Sequence, residues 1–144
     1  MSYRLLLLLC VLVVVLAGCS DLVTDGDMPV LAEATPYIPE QNETLDPLID
    51  SIDQNIKALL TEQQFAIEET QTFTTTLGLD AVTTFYVDEL ASRGWEMDTN
   101  TTSEDSPEQL LVYRREEEIF VVAAFDTRDY ANAEVLIYTL YASQ

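Results

Sequence analysis

Two stretches near the C-terminus are apolar on both of the faces that a β-strand presents. In Ile119–Phe125, Phe120 and Val122 point one way, and Ile119, Val121 and Phe125 the other. Val135 and Ile137 oppose Leu136, Tyr138 and Leu140 in the same manner. Side chains alternate along a strand, so a sheet wetted on one side alternates polar with apolar residues. Strands of this composition need cover on both sides. Either two helices cover different faces, or one face meets a partner. Cover from within the chain is the expectation.

Two segments have the period to supply it. Leu48, Ile49, Ile52, Ile56, Leu59 and Leu60 recur at steps of three and four, with Asp50, Asp53, Gln54 and Lys57 elsewhere on the wheel. This predicts an amphipathic helix over 47–62, capped by Asp46 with Pro47 in its first turn. A second helix is predicted over 81–93, capped by Asp80, with Leu79, Val82, Phe85, Tyr86 and Leu90 as its stripe. Gly94 stands where a left-handed residue closes a helix, and Trp95 follows it, placed to fold back on Leu90 as in a Schellman ending.

Between the helices Phe65, Ile67, Phe73 and Leu77 share odd parity against Thr70, Thr72, Thr74 and Thr76, a strand pattern strongest over 71–77. Further strands are predicted at 95–98, 109–115, 119–125 and 133–141, with Glu116-Glu117 as a tight turn and polar loops over 100–108 and 126–132. Short connections between successive strands imply an antiparallel meander. The expected fold is α+β, an antiparallel sheet of about four to five strands with two helices, in a single domain over 45–144.

The residues Phe85-Tyr86, Leu90 and Gly94-Trp95, spaced F-Y-x3-L-x3-G-W, resemble a pattern of small uncharacterised exported bacterial domains and lipoproteins. The resemblance covers eleven residues, implies a helix entering a strand, and brings no known activity.

The other end of the chain carries an address. Arg4 precedes an unbroken apolar run from Leu5 to Ala17. A basic start, a short apolar segment and small residues at its end compose a secretory signal. At about 1.5 Å per residue the run reaches roughly 20 Å, short of a hydrocarbon core of about 30 Å. Leu16-Ala17-Gly18-Cys19 resembles the lipobox of bacterial lipoproteins. The resemblance implies recognition of Leu16, Ala17 and Gly18 by a dedicated signal peptidase, removal of residues 1–18, and fatty acylation of Cys19. It places the protein in the cell envelope, lipid-anchored to a membrane, with its domain outside the cytoplasm. Two or three acyl chains, at about 0.8 kcal/mol per buried methylene, hold stably where one is marginal. Pro29, Pro36, Pro39 and several acids then mark residues 19–44 as an acidic tether.

Charge and residue inventory narrow the chemistry. The whole chain has six basic and twenty-six acidic residues, and only Arg4 among the basic ones lies in the signal. Such a surface repels nucleic acid and anionic headgroups. It suits solubility or high salt, and a cation-binding role is the sharper alternative. The chain has no histidine, and its two cysteines are Cys10 in the signal and Cys19. Histidine-dependent triads, the usual zinc sites and disulfides are therefore excluded. No glycine-rich phosphate loop is present, and no cofactor is expected.

Carboxylates remain. Asp126, Asp129, Asn132 and Glu134 are the candidate cation ligands, although their spacing matches no known loop and a polar turn explains them. The leading expectation is a non-catalytic interaction or envelope-accessory module, held to the bilayer through acylated Cys19 and meeting an envelope protein. The alternatives are a cation- or small-ligand-binding module and a carboxylate-dependent hydrolase.

Overall fold

The computed structural model describes residues 28–40, 42–101, 108–129 and 135–144. The elements in chain order are β1 (Thr35–Pro36), α1 (Leu45–Glu62), β2 (Ala66–Thr75), α2 (Leu79–Ser92), β3 (Glu96–Met97), β4 (Glu108–Arg115), β5 (Glu118–Asp126) and β6 (Val135–Ser143). They form an α+β fold with one six-stranded sheet in the order β1-β2-β6-β5-β4-β3, every neighbouring pair antiparallel. The strand count is six rather than four to five because β1, a two-residue edge, has no periodicity to reveal it. Strands β3 to β6 are the expected meander, and β2 closes on the far side of β6.

Each helix covers one face. Leu79, Val82, Tyr86 and Leu90 of α2 pack with Phe73, Phe120, Val122, Val135 and Ile137. Ile52 and Leu60 of α1 pack with Ile119, Val121, Leu136, Tyr138 and Leu140. The alternation within β5 and β6 thus feeds two cores, and every residue from Val135 to Leu140 is buried. Burying such side chains stabilises by about 1.5–3 kcal/mol each, which explains why these strands sit at the centre.

Four local expectations need correction. First, Asp46 does not cap α1. Asn42 Oδ1 accepts from the Thr44 and Leu45 N–H groups at 3.0 and 3.1 Å, and the Asn42 carbonyl accepts from Asp46 N–H at 3.0 Å. The helix consequently starts at Leu45, and Pro47 falls among the first four residues, whose N–H groups have no helical partner. Second, α2 starts at Leu79 after Gly78, with Asp80 in its first turn where its charge suits the helix dipole.

Third, the odd parity of the first long strand does not persist. A bulge between Ile67 and Glu69 inserts one residue. Ile67 therefore packs on the α1 side and Phe73 on the α2 side. Fourth, the stretch 28–40 is not free tether. Met28 and Leu31 are buried in the α2-side core, Thr35 and Pro36 pair with Thr74 and Phe73, and Tyr37 N–H donates to Thr72 O at 2.9 Å. Pro36 is tolerated because β1 is an edge strand.

Both helices close in the same way. Trp95 N–H donates to Leu90 O at 3.0 Å and Gly94 N–H to Ala91 O at 3.1 Å, with Gly94 at φ 79°. This is the expected Schellman ending. At α1, Phe65 N–H donates to Leu60 O and Gln64 N–H to Thr61 O, both at 3.0 Å, but the left-handed position is Gln64 at φ 68°. A β-carbon is strained there and glycine is not. Gln64→Gly is expected to stabilise the protein by about 0.5–1 kcal/mol, read as a rise in the urea midpoint at unchanged m-value. An unchanged or lowered midpoint would contradict this.

Candidate functional site

The positions Leu16, Ala17, Gly18 and Cys19 lie outside the described residues, as do Asn132 and Glu134. Asp126 and Asp129 are described. The Asp126 carboxylate is already engaged: Arg128 Nε donates to both of its oxygens at 2.9 and 3.1 Å, Arg128 Nη2 adds a third contact, and the Arg128 backbone N–H a fourth at 3.2 Å. These bonds hold Asp126 below the usual carboxylate range. Among the described residues no group of three acids stands together in a way that would hold a metal ion.

The same neutralisation recurs for every cation beyond Arg4. Lys57 pairs with Asp53 at 2.8 Å, Arg93 with Glu89 at 2.6 Å, Arg114 with Asp98 at 2.9 Å, and Arg115 with Glu118 at 2.8 Å. The Arg114 hydrogen bond holds Asp98 low, and the Arg115 hydrogen bond does so for Glu118. Each positive charge of the domain thus has a carboxylate beside it, and the remaining acids leave the surface negative.

Trp95 is 8 % exposed, lies 5.9 Å from Phe120 and 6.4 Å from Tyr141 between ring centroids, and has Arg115 over its face at 4.6 Å. The Tyr141 hydroxyl donates to Glu118, which pushes the phenol up to about 12. This cluster locks the β4–β5 hairpin against the end of α2. Its aromatic faces are occupied, so Trp95 belongs to the packing rather than to a ligand platform.

The open surface lies on the other face. Buried Tyr138 of β6 donates to Asp53 Oδ1 at 2.7 Å, and Asp53 also holds Lys57. Burial and this bond push the Tyr138 phenol far above its ordinary value. The contact ties α1 to the β6 side of the sheet and leaves the β4 side without a helix above it. A cavity of about 320 Å³ results, walled by Ile52 and Ile56 of α1 and floored by Leu110, Ala123 and Phe125, with Glu108 on its rim. Leu110 pairs with Ala123, so a small residue lies where a large one would fill the hollow. A smaller cavity of about 30 Å³ adjoins it, sharing Ile56 and Leu110 and extending to Leu59 and Arg114. Leu59 is 44 % exposed, while Leu110, Phe125 and Ile56 are half-buried. The result is an apolar groove running between α1 and β4.

Another cavity, of about 430 Å³, lies between residues 33–38 and the end of β2, lined by Thr35, Pro36, Tyr37, Ile38, Thr74 and Thr76 among others. Tyr37 donates to Asp46 at 2.7 Å, and burial followed by this bond pushes its phenol up to about 12. One carboxylate lines this cavity, Glu33, and one lines the groove, Glu108. Neither brings two carboxylates together.

The sequence pattern did not reveal the groove, because Leu110, Phe125 and Leu59 read as ordinary core positions. The α1 stripe, six apolar residues in thirteen, has the ordinary density of a core-facing helix and carried no signal of it. Comparison with protein-family models, with curated proteins and with solved structures gives no match.

Proposed function

We propose that the protein is a lipid-anchored, non-catalytic interaction module of the bacterial cell envelope, facing outside the cytoplasm. The observation that carries this reading is the run Leu16-Ala17-Gly18-Cys19 at the end of a thirteen-residue apolar segment. Cys19 supplies the thiol that takes the lipid, because the thiolate is the nucleophile in such transfers. Two features of the domain support an interaction role. Its cations are spent on its own carboxylates, and its open surface is an apolar groove with a single acid on the rim. A groove of that kind excludes water and offers contact area rather than acid–base chemistry.

The docking of residues 28–40 also shortens the leash. Only residues 20–27 separate Cys19 from Met28, and eight residues reach at most about 28 Å. A body so close to the bilayer meets partners at or near the membrane surface.

Growth with labelled palmitate tests the anchor. Label is expected on the wild-type protein and absent from Cys19→Ser, which keeps its apolar leader and runs at a higher mass. Equal label on the two forms, or no label on the wild type, would overturn the reading.

A further inference from the structure

We propose that residues 28–40 form a releasable strap, which sets how far the domain reaches from the bilayer. The inference rests on the reading of Cys19 as the lipid anchor.

The strap is the first part of the domain to take a pull from the membrane, because residues 20–27 link Cys19 to Met28. Met28 and Leu31 sit in the α2-side core, and Ala34 packs against it. Ala34 N–H donates to Leu31 O at 2.9 Å, and Glu33 O accepts from Thr75 Oγ1 at 3.2 Å. Then β1 pairs Thr35 and Pro36 with Thr74 and Phe73. Tyr37 N–H donates to Thr72 O at 2.9 Å, and the Tyr37 hydroxyl donates to Asp46 at 2.7 Å. Tension at Met28 loads these ties from one end, so they part in turn rather than together.

The hold is slight beside that of the next strand. Two residues of β1 pair with β2, whereas nine of β2 pair with β6. Pro29, Pro36 and Pro39 carry no N–H to donate. Glu40, where the strap leaves for α1, has φ 67°, a left-handed conformation that strains a residue with a β-carbon. Release relieves that strain and returns chain entropy. Segments held in this way lie at the low end of local stability.

Release has a fixed stop. Asn42 caps α1, and Leu45 just beyond it is 1 % exposed. Ile52 and Leu60 pack in the other core, and Asp53 holds Tyr138. These contacts do not involve the strap, so α1 and the sheet stay in place when it leaves. Docked, the strap leaves residues 20–27 as the leash, with a reach of at most about 28 Å. Released, residues 20–41 form the leash and reach at most about 77 Å. They carry Asp21, Asp25, Asp27, Glu33 and Glu40 and no cation, so the freed chain repels itself and extends. A partner beyond the short leash binds only the released state, and such differential binding is what shifts the balance.

The test is hydrogen exchange of the full acylated chain on phosphatidylcholine vesicles. The Ala34 and Tyr37 amides are expected to share one opening equilibrium, protected about 30- to 1,000-fold, with a shallow dependence on urea. The Val121 amide, in β5 between two paired strands, is expected to be protected at least about tenfold more and to respond steeply. Thr35 and Thr74 are Cα partners, so the double variant Thr35→Cys/Thr74→Cys can form a disulfide. That bond is expected to slow exchange at Ala34 and Tyr37 at least about tenfold, and its reduction to restore the rate. If Ala34 and Tyr37 match Val121 in protection and urea slope, the strap opens only with the whole domain and the proposal fails. It fails equally if the two amides open independently. For the reach, Gln144→Cys carries a fluorophore and the lipid headgroups an acceptor. Leu31→Asp places a charge in the core unless the strap leaves. It is expected to lower energy transfer about twofold while Val121 stays protected. Unchanged transfer, or loss of Val121 protection, would overturn the proposal. Palmitate labelling reports the anchor independently, so a strap that does not release and an anchor that does not form are separable results.

Discussion

A soluble chain that begins at Asn42 is expected to unfold at a lower urea concentration than one that begins at Asp27, with a loss of about 2–4 kcal/mol, and to self-associate. Removing residues 28–40 takes away two buried side chains, Met28 and Leu31, at about 1.5–3 kcal/mol each. It also takes away the β1 pairing with Thr74 and Phe73, the Tyr37–Asp46 bond, and the bond from Thr75 Oγ1 to Glu33 O at 3.2 Å, at about 1 kcal/mol per bond. Releasing the segment returns chain entropy that offsets part of this, so the expected loss is smaller than the sum of the contacts. What does not cancel is the damage left behind. Phe73 and Leu79 lose apolar cover, and β2 gains a longer bare edge, which is a template for association. A start at Leu45 is expected to lose about 1 kcal/mol more, because Asn42 no longer satisfies the first N–H groups of α1. Equal urea midpoints for the Asp27 and Asn42 starts would show the docked segment to be dispensable.

That segment marks the limit of what the sequence makes legible. Periodic features were readable because many residues repeat one message: the two-faced apolar strands β5 and β6, the α1 stripe, and the Gly94-Trp95 ending beside Leu90. Met28, Leu31 and the Thr35–Pro36 pairing were not, since three prolines and a two-residue strand have no period to detect. The bulge beside Glu68 was hidden for a related reason. One inserted residue reverses the facing of everything before it, and Phe65, Ile67 and Phe73 still look like a single alternating set. Asp46 was a sound cap by type, but Asn42 accepts from the Thr44 and Leu45 N–H groups one turn earlier, so the helix is already under way at Asp46, whose carboxylate holds Tyr37 instead. The groove was invisible because it arises from where α1 is pinned, by Tyr138 to Asp53 across eighty-five positions, and no local pattern encodes that offset.

Raising sodium chloride from about 0.01 M to about 1 M is expected to stabilise the protein by on the order of several kcal/mol, although salt weakens ion pairs. Two opposed effects set the sign. The five ion pairs are partly exposed and worth about 0–1 kcal/mol each, so their loss costs a few kcal/mol at most. Against them stand twenty-six acidic residues for five cations after Arg4, an excess of twenty-one. These form roughly two hundred like-charged pairs, and at about 20 Å in water each repels by about 0.2 kcal/mol. A folded domain of this length has a radius of gyration of about 13–14 Å, against about 35 Å unfolded, so folding concentrates the repulsion. The screening length falls from about 30 Å to about 3 Å over this range, from larger than the domain to the reach of nearest neighbours. Repulsion among many distant charges is therefore removed more completely than attraction within five close pairs, and the urea midpoint should rise steadily with salt. Calcium chloride at matched ionic strength separates screening from binding. If Asp126 and its neighbours hold no cation, calcium and sodium will give the same midpoint. An additional shift with calcium at micromolar to millimolar levels would instead favour a cation-binding module, and a midpoint that falls with sodium chloride would show that the ion pairs outweigh the repulsion.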